Sequence, residues 1–228
     1  IDDAPQEMRT LFKHRPLSFA RYQLRLLLNL ADNLAYDAYR THDATYPAAL
    51  AILNHLSGLI GQNGPQSLRQ LIGEPFAIQM EAQIEARLGD IYRFAGPQQD
   101  WAASLQHYIN ALSKFTAVHP SANLRDNATQ SWEILQAKVH LGMGDIYNYS
   151  HAHRNLDDST SATSPESEYR LAIAHADHLS AGSSDRYLIM AQVRLGQAQR
   201  VLQQQHGWDE IWRPLRLAVD QLHDLDTL

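Results

Sequence analysis

Twelve histidines and no cysteine bound the chemistry this chain could perform. Without thiols there is no disulfide, no thiolate metal site and no cysteine nucleophile. Imidazole remains, and the spacing of the histidines decides what it can do. His151 and His153, with Asp157 and Asp158 close behind, offer a mixed nitrogen and oxygen set of the kind that holds zinc. They lie in a polar stretch, 150–167, with almost nothing to bury, so a mobile loop is expected there rather than a pre-formed site. His175 and His178 stand three apart on a predicted helix, close enough to share an ion. No third ligand is visible beside them, and a solvated face is expected. There is no Gly-x-Ser-x-Gly, no Gly-Lys-Ser/Thr phosphate loop and no His-Glu-x-x-His. The expectation is therefore no metal, no cofactor and no catalytic residue.

The composition fits a packed domain. The chain has 228 residues, 44% hydrophobic and 19% charged, enough to bury a sizeable core. Its formal net charge of -6 opposes a general affinity for nucleic acid or for anionic membrane. The most apolar run, Leu24 to Leu34, is broken by Arg25, Asn29, Asp32 and Asn33, so no membrane helix is expected. Absence of cysteine suits a reducing, cytoplasmic setting. The chain opens Ile1-Asp2-Asp3 with no signal-like segment, which reads as a piece of a longer protein.

The elements that must position any site come from a repeat. Gly89-Asp90-Ile91-Tyr92 recurs 55 positions later as Gly144-Asp145-Ile146-Tyr147. Looser copies are Leu195-Gly196-Gln197-Ala198 and Leu30-Ala31-Asp32-Asn33-Leu34. Each sits late in a stretch with helical apolar spacing, such as Ile84, Leu88, Ile91. A second pattern follows each copy: Trp101, Tyr108, Ala111; Trp208, Leu215, Ala218; Tyr46, Leu53, Leu56; and the pair Tyr169, Ala172. Glycine inside a helix costs about 1 kcal/mol against alanine, so its recurrence implies close packing. Two helices approach to about 8 Å only where a side chain is tiny. Trp101 and Trp208 are then expected in the core, with Trp212 nearly on the same stripe. From caps and breakers the helices are predicted at 16–41, 45–61, 75–95, 99–117, 124–149, 166–180, 184–206 and 208–226.

This hairpin pattern resembles the tetratricopeptide repeat family: Leu-Gly and Tyr in the first helix, then aromatic, aromatic and Ala in the second. The resemblance spans nearly the whole chain, as hairpins at about 16–61, 75–117, 124–180 and 184–226. The repeat departs from the family's period of about 34 residues, running 52 to 58 between first-helix markers. The family's Trp is replaced by Glu85 in one unit and His140 in another. The variant is similar to the long-helix sensor domains of bacterial signalling ATPases and activators. It implies an all-α, right-handed α-solenoid forming one domain over 1–228.

The resemblance also implies a groove. In such arrays the residue after the small position faces the inner curve: here Asp32, Asp90, Asp145 and Gln197. One turn on stand Arg93 and Arg200, and then the aromatics Tyr36, Phe94 and Tyr149. The expected function is a protein- or peptide-binding scaffold with a basic or apolar partner, without nucleic acid or membrane, and open to self-association. The local alternative is that Asp90 pairs with Arg93 on its own helix. An architectural or oligomerisation spacer is the second reading. The third is a helical metal hydrolase using His42-Asp43 with His14 and Asp177, although Asp43 between helices is more simply a cap.

Overall fold

The computed structural model describes residues 16–41, 46–62, 64, 67–94, 99–117, 127–153, 164–203 and 208–226, and the side chains of most of these. Among the described residues the protein is helical throughout, with no strand. The helices are α1 (Pro16–Thr41), α2 (Tyr46–Gly61), α3 (Leu68–Ile72), α4 (Glu74–Phe94), α5 (Trp101–Ala117), α6 (Asn127–His153), α7 (Pro165–Asp177), α8 (Ser184–Gln203) and α9 (Trp208–Asp226). No described helix is long and apolar enough to cross a membrane. The chain divides into two compact units, Ile1–Asp100 and Trp101–Leu228.

In the first unit α1 packs on α2 and α4, and α2 packs on α4. The contact stripes are written in the sequence at three- and four-residue steps. Leu24, Leu28 and Ala31 on α1 meet Leu53, Leu56 and Ile60 on α2 and Met80, Ile84 and Leu88 on α4. Such a stripe recurs at the helical period and buries one face. Helix α3 is an addition to the sequence reading, a single turn hidden among Gly61, Gly64 and Gly73. Ser67 caps it by accepting from the Gln70 amide at 3.2 Å. At its other end Gly73 takes φ +84, a left-handed conformation that side chains resist. The Arg21 guanidinium of α1 donates to the Ile72 carbonyl at 2.7 Å there, placing a cation at a helix C-terminus.

In the second unit α5 packs on α6, α6 on α7 and α8, α7 on α8, and α8 on α9. Helix α6 is enclosed on nearly all sides from Val139 to Asn148, and that explains its two glycines. Two residues apart on a helix means roughly opposite faces. A Cβ on Gly142 would lie 2.6 Å from Cζ of Tyr108 on α5. A Cβ on Gly144 would lie 2.6 Å from Cε1 of Tyr169 on α7. The same Tyr169 ring fills the space beside Gly196 of α8, where a Cβ would stand 2.7 Å from Cζ. One buried ring is thus held between the glycines of two helices. Helix α7 starts as its sequence suggests, with Ser164 accepting from the Ser167 amide, Pro165 in the first turn and Glu166 and Glu168 following.

Two details differ from expectation. Helix α6 runs to His153, into the stretch expected to be a loop; residues 154–163, including Asp157 and Asp158, lie outside the described residues. Trp101, expected in the core, is half-buried and stacks on Tyr149 with ring centroids 4.6 Å apart. Trp132 is the buried one of the two tryptophans whose side chains are described, edge-on to Phe115 at 4.5 Å.

Candidate functional site

The residues that follow the small positions are engaged within the protein. Asp32 receives Arg87 of α4 through two hydrogen bonds, Nε to Oδ1 at 2.6 Å and Nη2 to Oδ2 at 2.8 Å. Asp145 accepts the Tyr169 hydroxyl at 2.8 Å. Asp90 stands 3.8 Å from Arg93 on its own helix, the local pairing weighed above. Gln197 accepts from Arg194 at 2.9 Å, and Arg200 pairs with Glu166 of α7. These groups serve helix packing in part. Arg93 is buried, its guanidinium 4.1 Å from the Phe94 ring centroid.

The aromatics of the same set behave differently. Tyr36, Phe94 and Tyr149 are all exposed, the first by 65%. In the first unit Tyr39 meets Phe94 edge-on at 5.6 Å; in the second, Trp101 covers one face of Tyr149. Each unit therefore carries a small aromatic surface at the C-terminal end of a long helix.

A second constellation lies between α6 and α7. His140 Nδ1 is 2.7 Å from Glu168 Oε2, and Glu168 is only 2% exposed. Seven residues back on α6, Glu133 Oε2 is 2.7 Å from His175 Nδ1, which lies seven residues onward from Glu168. The two pairs are reciprocal: Glu faces His at one level and His faces Glu two turns along. That register follows from helices running antiparallel, with seven residues making two turns. The His140 and His175 rings stack between the pairs, 5.5 Å apart and 9° from parallel. His178, at the C-cap of α7, brings its own Nδ1 to 3.3 Å from the same Glu133 oxygen. Glu133, His175 and His178 present three ligand atoms within 4.8 Å of one another.

Comparison with known proteins decides nothing here. No family model, no curated protein and no solved structure matches the chain.

The expectation that no third ligand lies beside His175 and His178 is corrected, because Glu133 reaches both; His178 is solvated and His175 is largely covered. Glu133 stands 42 residues from His175 and is invisible to local spacing. A signal did exist: Glu-x6-His recurs as Glu133…His140 and Glu168…His175, on two helices that pair. The side chains of His151 and His153, with His14, His42, Asp43 and the side chains of Trp208 and Trp212, lie outside the described residues. Asp177 is occupied by Arg186 at 3.0 Å.

Proposed function

We propose that this chain is an interaction module of stacked helix pairs, similar to tetratricopeptide repeat arrays, that holds an apolar or aromatic segment of another protein. The repeated packing plan supports this reading. In each unit a long helix rests on the two long helices that follow it. Within the second unit, tyrosine against glycine is the recurring joint. A right-handed solenoid of four hairpins extends that plan along the chain. The observation that carries the binding role is the exposure of Tyr36, Phe94 and Tyr149, three aromatics at equivalent helix positions. Aromatic side chains kept at a surface are typical of contact sites. With Asp32 and Asp145 already engaged, apolar contact leads and basic groups on the partner are secondary. The reading is one of binding without catalysis, in a cytoplasmic sensor or scaffold that does not touch nucleic acid or membrane.

A selection of displayed random peptides on the immobilised chain tests the role. Enriched peptides should be aromatic or aliphatic. Their affinity should fall about tenfold, equivalent to 1.4 kcal/mol, in Phe94→Ala or Tyr149→Ala with melting unchanged. No enrichment, or binding indifferent to both changes, overturns it.

A spacer or self-associating role is favoured by one further feature. Tyr22, Leu26, Leu30 and Tyr36 form an exposed apolar stripe on α1, opposite the face carrying Leu24, Leu28 and Ala31. A dimer by light scattering that dissociates on Leu26→Glu supports that reading; a monomer at high concentration removes it.

A further inference from the structure

We infer that Glu133, His175 and His178 form a binding site for a divalent transition ion of the zinc class. The two imidazoles come from one helix end and the carboxylate from another helix, and all three converge. His175 and His178 both direct Nδ1 at the same oxygen of Glu133, at 2.7 and 3.3 Å. Zinc holds nitrogen and oxygen at about 2.0–2.1 Å, so tetrahedral donors sit about 3.3 Å apart. One pair already has that separation. The other must open by about half an ångström, a small turn of the loosely restrained terminal Glu torsion. Two imidazoles and one carboxylate favour zinc, nickel or copper over magnesium or calcium, which take oxygen.

The surroundings suit a site that loads from solution. His175 is oriented by its stack on His140, which is itself tied to the buried Glu168. Partners behind a ligand that fix its ring plane are the usual support of a metal centre. His178 is 65% exposed at its side chain, so an ion can arrive and keep water or an outside donor as its fourth ligand. The site also lies at the C-terminus of α7, where the helix dipole favours positive charge. Binding moves the remaining ring proton of each histidine to Nε2 and leaves Nδ1 for the metal.

Zinc chloride titrated into the untagged chain by calorimetry tests the inference, with cobalt as an optical probe of tetrahedral geometry. One ion per chain is expected. His178→Ala and Glu133→Gln should each weaken it at least tenfold with unchanged circular dichroism, while His55→Ala on α2 leaves affinity unaltered. Because His178 is largely exposed, its variant keeps the fold even if Glu133→Gln does not. Failure to bind zinc, or zinc binding undiminished by His178→Ala, overturns the site in favour of a carboxylate shared by two imidazole donors.

Discussion

Tyr169 lies so close against Gly144 that any side chain there would enter its ring, and its hydroxyl then donates to the neighbouring Asp145 at 2.8 Å. Alanine at Gly144 or Gly196 would gain about 1 kcal/mol of helix propensity. Against this, a fully buried ring must be displaced, at about 1–3 kcal/mol for overpacking. We expect each substitution to destabilise the second unit by about 1–2 kcal/mol, since Tyr169 is hemmed on both sides. All four tryptophans belong to residues 101–228, so urea unfolding followed by tryptophan fluorescence reads that unit alone. A variant as stable as the parent would show the ring free to relocate.

Gly58 gives the opposite sign. It lies within α2, and a Cβ there meets nothing within 4 Å. Gly58→Ala removes backbone freedom from the unfolded chain without a clash and should stabilise the first unit by about 0.5–1 kcal/mol. Circular dichroism in urea measures it, and a loss of stability refutes the open environment.

These two glycines mark how far sequence reasoning reached. The long helices were legible because apolar stripes, Ser164-Pro165 and the recurring Leu-Gly each bear on local geometry. Gly144 and Gly196 stood out through the repeat, whereas Gly142, which receives Tyr108, stood outside it. Groove residues were less legible: Tyr36 and Phe94 are exposed, but the partners of Asp32 and Asp145 come from other helices. Pairings such as Asp32 with Arg87 or Glu133 with His175 depend on register between helices, which local periodicity does not encode.

The Asp32–Arg87 fork joins α1 to α4 with both guanidinium contacts in place, yet Asp32 is partly exposed. Exposed pairs contribute little, so Asp32→Asn should cost about 0.5–1 kcal/mol at low salt. At 1 M salt, where the screening length falls to about 3 Å, most of that difference should vanish. A cost that persists in salt means the hydrogen bonds, rather than the charges, hold the helices.

Glu74 receives Arg69, which also reaches Glu81, at the start of α4. The Arg69 hydrogen bond holds the Glu74 carboxyl below its ordinary range, and Arg69 is shifted upward in turn. A carboxylate whose folded value is depressed stabilises the fold at pH above its unfolded value. That contribution is lost as pH falls through the folded value. Titration of the Glu74 side-chain carbon by NMR should show the depressed midpoint. Arg69→Gln should return it upward to the ordinary range; an unchanged midpoint rules out the contact as its cause.

His140 and Glu168 form the most enclosed polar pair described, joining α6 to α7 at 2.7 Å. Removing one member strands the other where water cannot replace it. His140→Ala should cost about 1–3 kcal/mol, because the buried Glu168 oxygen loses its hydrogen-bond partner. Replacing both members is a different matter: apolar groups of similar volume leave nothing unsatisfied, and such swaps are often neutral or stabilising. The double variant His140→Leu with Glu168→Met should therefore recover most of the loss seen in either single change. That recovery is a coupling energy, read from the four tryptophan-monitored urea curves of the cycle. Additive losses would show that the pair's residues act through packing alone. They would also remove the support proposed for the His175 ring, whose stacking partner His140 would then be held by its neighbours and not by Glu168.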